Sequence, residues 1–418
     1  MGVYLDHNAT SPATPEHLAK LFALLQNVGA NPSSPHAPGR GANVALTECR
    51  KNIAQSLSCE PSEVVFVSGG SEANNLATAG VLRALGVDLS ALHAITSAIE
   101  HPSVLEPLRF LEVNAGLQLS VLPVNSEGRI SLSELVASLR ENTALVSVMV
   151  ANNETGAIQP VSEFADWLHQ ARWTKIKTGL SWREASLPQW PEWALGLAQE
   201  VGQEQLQSLH LHVDAVQAYG KLPSEQWTSS GFDSVSLCAH KLGGVPGVGA
   251  LLLRRGRKFE PLIRGGAQER SRRAGTENIP GILSFGIVAQ AVSQPEWWLQ
   301  YEQQRERLER LRVVFKKFEG VKINTPESRC LPNTFNVSVD LPRLKGEDVL
   351  MELDLKGFYL SSGSACSSGV NRPSHVLLAL GCSSREASNG LRFSLSPTTT
   401  DEEIDELCQA LFDIFIKR

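Results

Sequence analysis

The chain has too few cysteines, too widely scattered, for a disulfide-built protein: seven in 418 residues, an odd number, with no CxxC pair. That argues against a disulfide framework and a cysteine zinc site, so no metal is expected; it fits reduced thiols in a cytoplasmic protein. No apolar run approaches the ~20 residues that span a bilayer. The opening MGVYLDHNATSPATP puts Asp6 and His7 where a secretion signal needs its apolar core, so neither membrane insertion nor export is expected. Strong charge of either sign is also missing. With 38 basic and 44 acidic residues the net charge is −6, which gives no footing for nucleic acid or anionic lipid. There is no GxGxxG fingerprint, no GK[ST] phosphate loop and no internal repeat.

What is present is the balance of a globular protein, 42% hydrophobic and 20% charged, in a chain long enough for two domains. From about residue 60 to 255, short apolar strands alternate with helical patterns. EVVFVS (63–68), AITSA (94–98), ALVSVMV (144–150), LHLHV (209–213), SVSLC (234–238) and GALLL (249–253) read as strands. Strands separated by helix-length segments predict a mostly parallel sheet covered by helices. Past about 260 the pattern becomes α+β: a charged helix near 297–318, strand-like NTFNVSVD (333–340) and LRFSLS (391–396), and an amphipathic helix from Glu402. The expected division is a large α/β domain over 14–260 and a smaller α+β domain made of 1–13 and 261–418. An insert at about 173–210 holds four of the eight tryptophans. It reads as a surface elaboration or, alternatively, a partner-docking flap.

In parallel α/β sheets ligands bind at the carboxyl ends of strands, and the polar candidates follow the strands in register. Gly69-Gly70-Ser71 follows the first and suits an anion at a helix start, although a plain tight turn reads equally well. Glu100-His101, Asn152-Asn153-Glu154, Asp214 with Gln217, and His240-Lys241 follow the others. Asp214 can hold a proton on a pyridinium nitrogen or simply cap a helix. Lys241, between His240 and a glycine-rich turn, can form a Schiff base if its amine is partly desolvated. His101 can stack on a ring and carry protons, or be a satisfied core histidine. Arg392 can grip a carboxylate through two parallel hydrogen bonds, or form a structural ion pair. Cys366 lies in SSGSACSSG (361–369), a composition that reads as a mobile tether for a thiol or as a flexible linker.

These motifs together resemble the cysteine desulfurases of the class V aminotransferase family, the group serving iron–sulfur cluster assembly. The resemblance runs through YLDHNAT, NPSSPH, SGGSEANN, EHPSV, NNETG, HVDAVQ, AHKLGG, RAGTEN, SSGSACSSG and LRFSLS, in order and over nearly the whole chain. The serine-rich loop is similar to that of the family's long-loop group. It implies the fold of type I transferases dependent on pyridoxal 5'-phosphate, with a seven-stranded, mostly parallel sheet. By position, the resemblance makes Lys241 the lysine that bonds the cofactor, Asp214 the pyridinium partner and His101 the residue stacked on the ring. Gln217 and Asn153 would meet the ring hydroxyl. Gly70, Ser71 and His240 would bind the phosphate, and Thr276 would reach it from the other subunit of a homodimer. Asn31 and Arg392 would hold the carboxylate of L-cysteine, Cys366 would carry the persulfide, and acceptor or cluster-scaffold proteins would take the sulfur.

Two departures stand out. Cys238, three residues before Lys241, replaces the family's usual serine with a weaker donor. The 173–210 insert occupies a place where related sequences run straight from helix to strand. The rival readings are an aminotransferase or selenocysteine lyase of the same fold and, in another class, a non-catalytic scaffold. Cys366 distinguishes the aminotransferase, which needs no tethered thiol; the sequence leaves cysteine and selenocysteine as alternative substrates, and the intact set of polar residues argues against the scaffold.

Overall fold

The computed structural model describes residues 2–178, 203–362 and 372–416. Its centre is a seven-stranded sheet built from β1 (Val64–Val67), β2 (His93–Ser97), β3 (Gln118–Leu122), β4 (Thr143–Met149), β5 (His210–Asp214), β6 (Ser234–Cys238) and β7 (Gly249–Leu253). The spatial order is β1-β7-β6-β5-β4-β2-β3. All neighbours run parallel except β7, which is antiparallel to both β1 and β6. Every residue of six strands is buried, which is why VVFV, TALVSVM and GALLL carry apolar residues on both faces rather than alternating. The exception is β3 at the sheet edge, where of QLSVL only Leu122 is buried and the rest are exposed or half-buried. It is the one strand of this sheet that apolar runs do not mark.

Helices cover the sheet. The helix Ala37–Ser56 lies so close to the helix Ile279–Val292 that a Cβ on Gly286 would sit 2.4 Å from Cys49 Sγ, so only glycine fits there. Ile282, Phe285 and Val288 share a core with Leu46, Ile53, Val148 and Val213 of the large sheet unit. That helix therefore packs with the large sheet although it lies past residue 260, where the sequence reading begins the smaller domain.

A second, separate core fills the smaller unit. Its sheet is antiparallel: β8 (Val321–Ile323), β9 (Thr334–Leu341), β10 (Leu344–Lys345), β11 (Ser361–Ser362) and β12 (Gly390–Ser394), with β12 between β9 and β11. The helices Pro295–Phe315, Gly346–Leu355 and Asp401–Ile416 supply Leu308, Leu311, Val349, Leu353, Leu407 and Leu411 to this core. The chain start joins it: Val3–Tyr4 pairs in parallel with Phe358–Tyr359, and Asp6 bridges to Ser394. Residues just after that bridge then pass to the end of the large sheet, which is how Asn8 and Ala9 come to face its strand ends. Of the insert, the segment Gln203–Ser208 forms a helix leading into β5; its tryptophans lie outside the described side chains. Among the described residues no helix is long and apolar enough to cross a membrane, and no cluster of His, Cys, Asp or Glu could hold a metal ion.

Candidate active site

A cavity of about 270 Å³ opens at the carboxyl ends of the parallel strands. Its wall includes Gly70 and Ser71 after β1, His101 after β2, Asn153 after β4, Asp214 at the end of β5 with Gln217 beyond it, and His240 and Lys241 after β6. Arg392 enters from β12 and Asn8 and Ala9 from the chain start, so both units contribute. Nine of the sequence-derived candidates thus converge on one cavity.

Asp214 is buried, with each oxygen engaged: Asn74 Nδ2 donates to Oδ2 at 2.7 Å and the Val216 N–H to Oδ1 at 2.9 Å. Asn74 is itself held, its Nδ2 also donating to Ser103 Oγ and its Oδ1 facing His212 Nε2. Ser103 Oγ pairs with His101 Nδ1 at 2.8 Å, and the Ser103 N–H also reaches that nitrogen. His101 and Asp214 are therefore joined through Ser103 and Asn74. Burial lowers the His101 pKa, opposed by the Asp214 charge and assisted by Lys241 and His375. Lys241 Nζ donates to the carbonyls of Asn8 (2.8 Å) and Ala9 (2.7 Å). His240 Nδ1 faces Thr10 Oγ1 at 3.1 Å; burial, with Lys241 and Lys221 adding repulsion, pushes its pKa down to about 4. At neutral pH it is an uncharged hydrogen-bonding group.

Arg392 is 2% exposed. Its Nη2 pairs with Asp6 Oδ1 at 2.6 Å and its Nη1 donates to the Asn153 carbonyl at 3.2 Å, while Nε has no partner among the described residues. A buried guanidinium with an uncommitted N–H at a cavity wall is suited to a carboxylate ligand. Cys238 also lines the cavity. It is 1% exposed, and burial pushes its thiol up to about 11, so it is a neutral, weak donor.

Two candidates lie elsewhere in this chain. Asn31 is exposed, with its Oδ1 accepting from the Ser33 N–H. Thr276 is exposed on the segment between Ala274 and Asn278, away from this cavity. Cys366 lies outside the described residues. Residues that the sequence reading did not single out include Asp6, Asn8, Asn74, Ser103 and the fully buried Lys221. Asn8 and Asn74 stand inside recognisable motifs, but no pattern in HVDAVQAYGKLP marks Lys221 as buried.

A second cavity, of about 250 Å³, shares His101 and Asn153 with the first and is bounded by Glu154, Arg372, Ser374 and His375. Ser374 Oγ donates to Glu154 Oε2 at 2.5 Å, and burial pushes the Glu154 carboxyl up to about 7. Nearby Glu100 is fully buried: Ser97 Oγ (2.5 Å) and the Met149 N–H (3.0 Å) donate to Oε1, and Oε2 has no partner among the described residues. Burial raises its carboxyl to about 8. An unfolded glutamate titrates near 4.3, so the folded chain holds the extra proton between about pH 4.3 and 8. Stability from this group is complete below that window and is lost as pH rises through it. Glu100→Gln, which keeps the Oε1 acceptor, is expected to flatten the fall in urea midpoint between about pH 5.5 and 8; an unchanged slope would show that Glu100 does not carry it.

The residues fit pyridoxal phosphate on structural grounds. A Cβ on Gly70 would lie 2.7 Å from Val216 Cγ2, so a side chain would crowd the cavity wall where Gly70 and Ser71 start the Gly70–Asn75 helix, an end that suits an anion. Ser71 and His240 add donors for a phosphate, Asp214 offers a carboxylate for a ring nitrogen, and Lys241 provides the amine.

Fold and cavity together define an α/β enzyme of the pyridoxal-phosphate-dependent transferase type. The family model Aminotransferase class-V matches residues 3–175 and 197–407, and the chain belongs to that family, in its cysteine desulfurase branch. It is 37% identical over 420 residues to cysteine desulfurase IscS of Dictyoglomus turgidum, covering 99% of this chain and 95% of the relative. It is also 37% identical to a cysteine desulfurase of Cereibacter sphaeroides, covering 98% and 94%. Among solved structures, a NifS-like protein superposes with a TM-score of 0.82 at 30% identity and full coverage of both chains. SspA in complex with cysteine superposes at 0.73 and 29% identity, covering 95% of this chain and all of the other.

Proposed function

We propose that this chain converts L-cysteine to L-alanine, with pyridoxal phosphate bound at Lys241 and the sulfur carried as a persulfide on Cys366. The observation that carries the reading is the convergence of Lys241, Asp214 and His101, from separate strand ends of the large sheet, and of Arg392, from β12, on one cavity. Lys241 would hold the cofactor covalently, Asp214 at its ring nitrogen and His101 on its ring face. Asn153 and Gln217 would meet the ring hydroxyl, and Gly70, Ser71 and His240 the phosphate, with Thr276 arriving from the second subunit of a homodimer. When bound, the cofactor supplies an electron sink for the pair left at the substrate Cα.

The chain's own groups do the rest. Arg392 grips the α-carboxylate at the wall, orienting Cα toward Lys241. The Lys241 amine, directed by the Asn8 and Ala9 carbonyls, takes the Cα proton. Asp214, fixed by Asn74 and the Val216 N–H, keeps a proton at the ring nitrogen. His101, whose pKa burial lowers, would accept a proton at its ring and return it. In the sulfur step the Cys366 thiolate attacks the substrate sulfur. An S–S bond forms, the Cβ–S bond breaks, and Cβ gains a proton to become the alanine methyl. Cysteine plus thiol gives alanine plus persulfide, with the sulfur oxidised and Cβ reduced.

The described residues on either side of Cys366 support this. Ser361 pairs with Arg392 across β11 and β12, and Cys366 follows Ser362 by four residues, a reach of at most about 14 Å. Where the described chain resumes, Arg372 lines the second cavity, which shares His101 with the first. The persulfide would pass to scaffold proteins of iron–sulfur cluster assembly or to other acceptors in the cytoplasm. Purified protein supplied with pyridoxal phosphate, L-cysteine and a thiol reductant is expected to release sulfide and alanine in equal amounts. Pyruvate in place of alanine would contradict the reading.

Cys238→Ser tests the departure at the phosphate end. A hydroxyl is a better donor than the neutral thiol, so cofactor binding is expected to tighten by roughly 0.5–1.5 kcal/mol, or about three- to tenfold in dissociation constant. Looser binding, measured by equilibrium release under reducing conditions, would mean that the position works as packing rather than as a donor.

A further inference from the structure

Beside the catalytic groups lies a buried lysine that the mechanism above does not use. Lys221 is 1% exposed. Its Nζ donates to Asn8 Oδ1 at 2.7 Å and to Gln217 Oε1 at 2.5 Å. Among the described residues no carboxylate pairs with it, and Lys241 and Arg392 are its neighbouring charges. A buried amine without a counter-ion is expensive to keep, and an apolar side chain of the same length would pack there at less cost. What it does provide is a pair of N–H donors, the number that even an uncharged amine carries, for two amide oxygens.

Both amides lead to the cavity. A side-chain amide has one oxygen and one NH2, so committing the oxygen fixes where the NH2 points. With Gln217 Oε1 on Lys221, Gln217 Nε2 donates to the Asn8 carbonyl at 3.0 Å, the same carbonyl that accepts from Lys241 Nζ. With Asn8 Oδ1 on Lys221 (2.7 Å) and, at longer range, on Asn333 Nδ2 (3.3 Å), Asn8 Nδ2 donates to the Asn153 carbonyl (3.1 Å) and to Thr334 Oγ1 (2.8 Å). The Asn153 carbonyl in turn accepts from Arg392 Nη1. Gln217, Lys241, Asn153 and Arg392 all line the cavity, and one buried amine stands behind them.

We propose that Lys221 is a positioning residue: by holding the Gln217 and Asn8 side-chain oxygens, it turns the Gln217 NH2 toward the cavity and sets the Asn8 carbonyl on which Lys241 docks. The proposal rests on the reading of the cavity as a pyridoxal phosphate site. It makes Lys221 act through Gln217, which a merely space-filling residue would not do.

The test is a double-mutant cycle in the full chain, with Lys221→Met, Gln217→Leu and the pair together. Two quantities are read: the dissociation constant for pyridoxal phosphate, and the pH midpoint of the bound cofactor's visible absorbance. Each single change is expected to weaken cofactor binding about three- to tenfold, the scale of one ordinary hydrogen bond, and to move the midpoint in the same direction. The double change is expected to cost less than the two single effects combined, exceeding Gln217→Leu alone only by what Lys221 does through Asn8, because residues acting as one unit are not additive. Lys221→Gln, which keeps an N–H donor, is expected to recover part of the loss, and it replaces Lys221→Met in the cycle if the methionine variant does not fold. Additive effects, or a Lys221 variant with the wild-type dissociation constant and midpoint, would overturn the proposal. Wild-type protein that binds no pyridoxal phosphate would overturn the functional reading itself, and the proposal with it.

Discussion

Lys241→Ala is expected to abolish covalent attachment of pyridoxal phosphate and to leave no measurable alanine formation from L-cysteine. Two losses combine. A positioned general base alone is worth about 10²–10⁴-fold, and the covalent anchor is lost with it. The structure argues that this is not a folding effect. The Lys241 amine donates to the Asn8 and Ala9 carbonyls, which face the cavity and can turn to water once the amine is gone. The cost to stability is then on the order of one or two hydrogen bonds, about 0.5–1.5 kcal/mol each. Circular dichroism and thermal unfolding should therefore be near wild type while turnover is absent. A variant that keeps a reducible covalent link to the cofactor and still makes alanine would remove Lys241 from its role.

Asp214→Asn is expected to lower kcat by about 10²–10³-fold, the scale at which one preorganised electrostatic partner contributes, while the cofactor remains bound. The side chain keeps its shape, so the Val216 N–H retains an oxygen to donate to, but an amide cannot hold a proton on a ring nitrogen as a carboxylate does. The change also reaches Asn74, which donates to Asp214 Oδ2 and links it through Ser103 to His101. The pH profile of kcat is therefore expected to shift with it. Steady-state kinetics across pH with cofactor occupancy matched would check both. Wild-type kcat with an unchanged profile would leave Asp214 only as the cap of the turn that follows its strand.

The strand ends were legible because six strands of the large sheet are buried on both faces, so their apolar runs stop abruptly where polar residues meet the cavity. Gly70, His101, Asn153, Asp214 and Lys241 sit at those stops. The edge strand β3 was not legible, because its exposed side chains interrupt the apolar signal. The packing of Ile279–Val292 was hidden for a different reason. Local pattern shows that a helix is apolar, not which of two sheets it covers, and this one covers the larger. The share of the site supplied by Asp6, Asn8 and Lys221 depends on chain crossings and buried amides that periodicity does not encode. Arg392 was found by residue type alone; its pairing with Asp6 and its uncommitted Nε come from the meeting of β12 with the chain start.

The central claim is that cysteine sulfur passes to Cys366 as alanine forms. It is tested most directly by a single turnover with sulfur-labelled L-cysteine and no reductant, followed by mass spectrometry of the cysteine peptides and quantification of alanine. The account predicts labelled persulfide on the Cys366 peptide in one-to-one amount with alanine, and none on that peptide in Cys366→Ser. Alanine formed with the label on another cysteine, or with Cys366 left unmodified, would contradict it.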